Sequence, residues 1–293
     1  MIDKVLITGS SGLIGSTAAR YFSQFSKVVG IDNNLRQYFT GEDTEPVRHD
    51  LQRMGNFQYR YANVCYFDSI IQIVEHEKPD LIINCAAQSS IDVSKDKPMS
   101  DFNINALGTV HMLQAAKYYA KDAVFVHLNQ TSIPDCPMKS SKKCAELMTL
   151  EYGNSFQMKT VSFNCSNIVG TKEQKCGLLN KICNQVLNKQ KTMLPPLTKR
   201  IDFLYAWDLM IAIHMFAENP KCGVAYEIGG GTTNSCTVEC LIEKIIQKKH
   251  FDYTCENDVG LVADISDNSN FKKDFPTWEI TRSIDSILEE LLD

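Results

Sequence analysis

The chain of 293 residues and 33.0 kDa is about twice the usual length of one domain, so it forms one large domain or two fused ones with a sizeable core. Apolar residues at 44% and charged residues at 22% exclude a disordered or fibrous chain. A net charge of -5, from 30 Lys and Arg against 35 Asp and Glu, argues against nucleic acid as a partner, and no apolar run approaches the roughly 18 residues of a membrane span.

In chain order, Val5-Leu6-Ile7 reads as a strand, residues 13–25 as a helix and Lys27-Val-Val-Gly-Ile31 as a second strand. The pattern repeats with strands at 57–64, 80–84, 123–128 and 160–163 and helices at 69–77, 101–119 and 138–152. Continuous apolar strands separated by helices predict a doubly wound parallel (Rossmann) α/β sheet covered on both faces. After about Gly170 the pattern loosens into helices at 178–188, 208–217, 238–248 and 284–292, a strand at 225–228 and the Gly229–Gly231 run. This predicts a smaller C-terminal α/β lobe for substrate, with a Rossmann domain over 1–170 and the lobe over 171–293. The apolar run that starts after four residues leaves no room for a signal peptide, and the expected location is the cytoplasm. Eleven scattered cysteines suit reduced thiols, and Cys236 and Cys240 lack the spacing of a zinc site, so no metal is expected.

Thr8-Gly9-Ser-Ser11-Gly12-Leu13-Ile14-Gly15 places three glycines, three apart, between the first strand and the first helix. That spacing gives a tight turn, backbone room beside a pyrophosphate and close packing of helix on strand, with helix N-terminal amides facing the phosphates. Asp32 follows the second strand, where a carboxylate accepts from adenosine ribose hydroxyls and repels a 2′-phosphate. The two together favour NAD over NADP.

These motifs, with Asp32-Asn33-Asn34, Asn84-Cys85-Ala86-Ala87-Gln88, Asn103-Ile-Asn105-Ala-Leu-Gly108-Thr109 and Tyr226-Glu-Ile-Gly-Gly-Gly231, resemble the extended short-chain dehydrogenase/reductase family of NAD-dependent epimerases and dehydratases, nearest the CDP-tyvelose (CDP-paratose 2-) epimerases. The resemblance implies an NAD cofactor, a nucleotide-sugar substrate linked to CDP, UDP or dTDP, and a homodimer formed through the helices 101–119 and 138–152. It implies a reaction in which a ring carbon is oxidised to a keto-sugar and the hydride is returned. It further implies cofactor contacts from Gly9, Ser11, Gly12, Leu13, Ile14, Gly15, Asp32, Asn33, Asn34, Asn63, Val64, Ala86, Ala87, Gln88, Asn105 and Lys142.

The catalytic motif departs from the family. Members carry Ser or Thr after the fifth strand and a Tyr four residues before a Lys, whose charge lowers the phenol pKa for proton exchange with the sugar. Here Gln130 takes the hydroxyl position, Thr131 and Ser132 follow it, and Met138 precedes Lys142 by four. A thioether cannot exchange that proton, which leaves Thr131 and Lys142 as catalytic candidates. On the substrate side, Asn164 and Ile201 stand where members place arginines, and Asn167 and Arg200 remain as candidates. Residue chemistry alone also suits blander roles: Ala86-Ala87 as strand-end packing, Asn105 as a buried amide, His127 as a core histidine, Thr131 as a loop hydroxyl and Lys142 as an exposed lysine beside Lys139 and Lys143. Two functions follow: an NAD-dependent epimerase with weakened or lost activity, or a non-catalytic NAD-binding regulatory or interaction protein.

Overall fold

The computed structural model describes residues 2–131, 133–171, 177–256 and 265–293; Ser132 lies outside them. In chain order the elements are β1 (Lys4–Thr8), α1 (Leu13–Phe22), β2 (Lys27–Asp32), α2 (Leu35–Thr40), α3 (Glu45–Gln52), β3 (Phe57–Tyr61), α4 (Phe67–Glu77), β4 (Leu81–Asn84), α5 (Ile91–Asp96) and α6 (Pro98–Phe102). A π-helical turn (Asn103–Leu107) leads into α7 (Gly108–Tyr119), β5 (Val124–Gln130), α8 (Pro137–Phe156), β6 (Thr160–Cys165), β7 (Asn167–Val169), α9 (Leu178–Leu187), β8 (Thr192–Leu194) and β9 (Arg200–Tyr205). The chain continues through α10 (Ala206–Glu218), β10 (Val224–Ile228), β11 (Ser235–Thr237), α11 (Val238–Ile246), β12 (Tyr253–Cys255), α12 (Ser269–Asp274) and α13 (Ile284–Leu292).

Two compact units result, one of Met1–Asn164 with Ile213–Tyr226 and one of Cys165–Ala212 with Glu227–Asp293. The first holds a seven-stranded sheet in the order β10-β6-β5-β4-β1-β2-β3, in which β3, β2, β1, β4 and β5 run parallel. This is the doubly wound arrangement expected from the apolar runs. Val5, Leu6 and Ile7 are completely buried, as are Leu81, Ile82 and Ile83, because helices cover both faces. Residues 213–226, which lie beyond the boundary at 170 expected from the sequence, belong to this unit because β10 extends the sheet edge beside β6. The second unit has its own core, built on Phe203, Leu179, Ile182, Leu241, Ile245 and Leu288. It contains a three-stranded sheet ordered β11-β9-β7 and a parallel β12-β8 pair.

Element bounds differ from the sequence reading where local periodicity carries little information. Helices α2 and α3 are too short for apolar periodicity to mark them: α2 buries no residue fully, although Leu35 and Phe39 pack partly against the core, and α3 buries only Leu51. The predicted helix 101–119 is real but is interrupted by the π turn, which adds a residue to the turn that carries Asn105.

Candidate functional site

Both clusters of candidate cofactor residues lie in the first unit. The turn between β1 and α1 depends on two glycines. Gly9 has φ +65°, and a Cβ there would lie 2.9 Å from the Ala86 nitrogen; a Cβ at Gly15 would lie 2.1 Å from the Gly9 carbonyl oxygen. Helix α1 therefore starts directly against the turn, as glycine alone permits. Gly12 is its N-cap with extended backbone and no side-chain cap, so the first-turn amides are not consumed by a capping side chain.

Asp32 ends β2 with a half-buried carboxylate locked by three amides. Its Oδ2 accepts from Ser11 N–H (2.9 Å), and its Oδ1 accepts from Asn33 N–H (2.8 Å) and Asn34 N–H (2.9 Å). Asn33 Oδ1 accepts from Leu35 N–H, while Asn34, at φ 53°, accepts from the Thr44 amide and hydroxyl and donates to Asp43. The structure thus brings Gly9, Ser11, Gly12, Gly15, Asp32, Asn33 and Asn34 together, with half-buried Leu13 and Ile14 opening α1. Asn63 Oδ1 accepts from Cys65 N–H, and the Val64 carbonyl lies 2.8 Å from His111 Nδ1 on α7.

A second, buried network joins β1, β4 and the helices. Ala86 N–H donates to Thr8 Oγ1, which donates to Asn84 Oδ1; Asn84 Nδ2 donates to Thr109 Oγ1. Asn105 Oδ1 accepts from Gln88 N–H (2.8 Å), and Asn105 Nδ2 donates to the Gln88 carbonyl (3.1 Å). Both residues meet Asp101, a completely buried carboxylate that also accepts from Ser94 and Ser141. Four donors replace the water that a buried carboxylate loses. Gln88 and Asn105 are therefore paired with each other, with Ser141 next to Lys142 in the same network. The sequence reading missed Thr8, Asp101, Thr109 and Ser141. The available signal was small polar residues at a strand end and on otherwise apolar helix faces.

Lys142 is 7% exposed whereas its neighbours Lys139 and Lys143 are exposed, so it is a buried lysine rather than part of a solvated basic face. Met138, one turn earlier on α8, is 1% exposed. Gln130 is the exposed last residue of β5, and Thr131, also exposed, follows it with its carbonyl accepting from Ile133 N–H. His127 is buried on β5, and burial, reinforced by the Lys142 charge, pushes its pKa down to about 3.

Asn164 does not present its side chain to a ligand: Nδ2 donates to Glu146 Oε1 (3.0 Å), and Oδ1 accepts from Asn129 (3.1 Å). In the second unit, Ile201 packs into the core, and Asn167 Nδ2 donates to the Asp202 carbonyl. Arg200 is exposed, its Nε and Nη2 donating to the Ser235 hydroxyl and carbonyl. Burial raises the Asp202 carboxyl above its ordinary range, although Gly231 N–H and Ser266 N–H donate to it. Among the described residues no three His, Cys, Asp or Glu side chains group to hold a metal ion, no disulfide joins the cysteines, and no helix is long and apolar enough to cross a membrane.

A profile of the NAD dependent epimerase/dehydratase family matches residues 5–229. A dTDP-D-glucose 4,6-dehydratase of Dictyostelium discoideum is 27% identical over 258 residues, which covers 78% of this chain and 58% of that protein. A CDP-paratose 2-epimerase of Salmonella typhi is 24% identical over 280 residues, covering 80% of this chain and 81% of its own length. Among solved structures, a mutant UDP-glucuronic acid 4-epimerase from Bacillus cereus, in complex with UDP-4-deoxy-4-fluoro-glucuronic acid and NAD, superposes with a TM-score of 0.85 at 20% identity over 99% of this chain and 98% of its own. A dTDP-glucose 4,6-dehydratase from Bacillus anthracis in complex with NAD does so with a TM-score of 0.81 at 22% identity, covering 99% and 95%. At these identities the structural likeness establishes the fold.

Proposed function

Because the chain belongs to the NAD dependent epimerase/dehydratase family, we propose that it binds NAD and a nucleotide-linked sugar in the manner of a nucleotide-sugar epimerase, with turnover weakened or lost. The observation that carries this reading is Met138, buried one turn before Lys142 on α8, where a proton-exchanging phenol is needed. The turn of Gly9, Gly12 and Gly15 fits a dinucleotide, since it brings bare backbone and uncapped amides to one place. Ser11 to Ile14 would hold the pyrophosphate, Asp32 to Asn34 the adenosine ribose, Asn63 and Val64 the adenine, Ala86 to Gln88 the phosphate-ribose side and Lys142 the nicotinamide ribose, with Asn105 as a further cofactor contact. NAD, when bound, supplies a reversible hydride acceptor for a sugar carbon. The buried Lys142 supplies a cation for a ribose hydroxyl, and the Asp101–Asn105–Ser141 network fixes the helix that carries it.

Neither of the two candidate substrate residues retains the bidentate grip of a diphosphate-binding arginine: Arg200 is engaged by Ser235, and Asn167 is uncharged. This favours keeping a second reading, a non-catalytic NAD-binding regulatory or interaction protein of the same fold. Mass spectrometry of the ligands released on denaturing the purified protein, together with turnover of CDP-, UDP- and dTDP-sugars, separates the two. Released NAD with a bound or turned-over nucleotide sugar supports the first reading, released NAD with neither supports the second, and no affinity for NAD overturns both.

The carboxylate of Asp32 is expected to make NAD bind at least about tenfold more tightly than NADP, because a 2′-phosphate would face like charge at close range. Calorimetric titration checks this: Asp32→Ala should weaken NAD and narrow the preference, and equal affinity in the unmodified protein would remove the assignment. We further propose a homodimer through α7 and α8. Phe102 and Leu107 (40% exposed) before α7, Tyr118 on it and Leu147 (54% exposed) on α8 are large apolar side chains at the surface of one monomer. Light scattering is expected to give about twice the 33.0 kDa chain mass at micromolar concentration, and a monomeric mass would count against the dimer.

A further inference from the structure

Helix α7 reaches the loop after β3 through one side chain on its first turn. His111 places Nδ1 2.8 Å from the Val64 carbonyl oxygen, a contact that joins positions 47 residues apart. A carbonyl has no hydrogen to give, so Nδ1 carries one, and the bond is available whether the ring is neutral or charged. Phe67, the first residue of α4, holds the half-buried ring in place at 5.4 Å between centroids and 41° between planes.

Further contacts confine the same loop. A Cβ at Gly108, in the same turn of α7, would lie 2.7 Å from Val64 Cγ2, so the buried Val64 side chain seats in a notch that glycine leaves on the helix. Asn63 Oδ1 accepts from Cys65 N–H (2.9 Å), which orients the side-chain amide, and the Asn63 carbonyl accepts from Tyr66 N–H (3.0 Å). Ala62 N–H donates to the Asp32 carbonyl (3.4 Å), which sets the loop beside the carboxylate assigned to the ribose. Among these hydrogen bonds only the one from His111 reaches the helices that cover the sheet. The same turn of α7 carries Thr109, which accepts from Asn84 Nδ2 at the end of β4 (3.0 Å), so one helix ties down two strand ends.

We propose that His111 is a positioning residue for the base end of the cofactor site: by holding the Val64 carbonyl it fixes the Asn63–Val64 backbone so that it reads the edge of an adenine. The cofactor role rests on the proposed NAD site; the hydrogen bond and the order it imposes on the loop do not. An adenine edge presents an acceptor at N1 beside an amino donor, and hypoxanthine reverses both. A fixed peptide beside an oriented amide discriminates between the two bases, because the wrong one leaves polar groups facing like partners, whereas a loop free to turn adapts to either.

Calorimetric titration of the full-length protein with NAD and with nicotinamide hypoxanthine dinucleotide tests this. The unmodified protein is expected to bind NAD about tenfold more tightly than the analogue. His111→Asn, whose Nδ2 donates from nearly the place of Nδ1, should keep that ratio within about twofold, whereas His111→Leu, which cannot donate, should bring it to about two or below. A histidine that only supports the fold would weaken both dinucleotides alike, so a ratio unchanged in His111→Leu overturns the proposal. A ratio near one in the unmodified protein, or an equal fall in the Asn and Leu variants, overturns it too. Amide hydrogen exchange without ligand reads the anchor separately: the Cys65 and Tyr66 amides should exchange at least about fivefold faster in His111→Leu, and His111→Asn should restore their protection. If NAD does not bind, the NAD reading fails and the cofactor role falls with it, while the exchange rates still decide the anchor. Unchanged exchange in His111→Leu, or a bare Nδ1 in the nitrogen-15 spectrum of histidine-labelled protein, overturns the anchor itself.

Discussion

Turnover of CDP-, UDP- and dTDP-linked sugars is expected to fall at least about a hundredfold below that of a family enzyme with an intact Tyr–Lys pair, because positioned proton transfer typically contributes 10²–10⁴-fold. Met138 is 1% exposed on the same helix face as Lys142 and four residues before it, so no other α8 side chain occupies that register. Its sulfur is at best a weak acceptor and offers no exchangeable proton. Met138→Tyr is the direct test. The phenol is bulkier than the thioether in a closed site and should cost about 1–3 kcal/mol of stability, yet a gain in epimerisation would show that cofactor and sugar are still aligned. Thr131→Val asks whether the exposed hydroxyl beyond β5 carries any residual activity: loss would assign it the proton, and no change would leave it a loop residue. Robust turnover by the unmodified protein that survives Lys142→Ala would sink the mapping of the site as a whole.

Stability is expected to fall by about 2 kcal/mol between pH 7.5 and pH 5, and by about 3 kcal/mol at pH 4, from His127 alone. Burial first, and the Lys142 charge second, lower its folded-state pKa from the ordinary 6.5 to about 3. The unfolded chain therefore binds a proton between these two values that the folded chain refuses. Stability from this residue is fully present above pH 6.5 and is lost as the pH falls toward 3. Asp202 and Asp208 act in the opposite sense, since burial raises both and ionising them opposes folding; their contribution is present at low pH and lost as the pH rises through their folded values. The comparison is accordingly between the unmodified protein and His127→Phe, with urea midpoints measured from pH 4 to 7.5. The variant should lose the His127 part of the slope and keep that of the aspartates. Parallel profiles in the two proteins would show that His127 does not titrate as described.

Local chemistry was enough for the fold class and for the cofactor turn. Val5-Leu6-Ile7 and Leu81-Ile82-Ile83 are apolar at every position, and only a sheet covered on both faces buries every side chain of a strand. The helix expected over 284–292 is found at Ile284–Leu292, because Ser283 caps it and its apolar stripe is regular. The register of Met138 against Lys142 was equally legible, since four residues on a helix fix a shared face.

What the sequence did not contain is who bonds whom across long separations. Asn164 could be placed at an arginine position, but its capture by Glu146, 18 residues away, required α8 and β6 to be packed together. The pairing of Asn84 with Thr8 spans 76 residues and that of Asn84 with His127 spans 43, so the surroundings of a histidine that reads as ordinary core were decided only when three strands met. The π turn at Asn103–Leu107 and the short helices α2 and α3 were hidden for a related reason. Apolar periodicity records which face of an element is buried, whereas hydrogen-bond partners, protonation and the assignment of 213–226 to the first unit depend on neighbours that only the tertiary structure supplies.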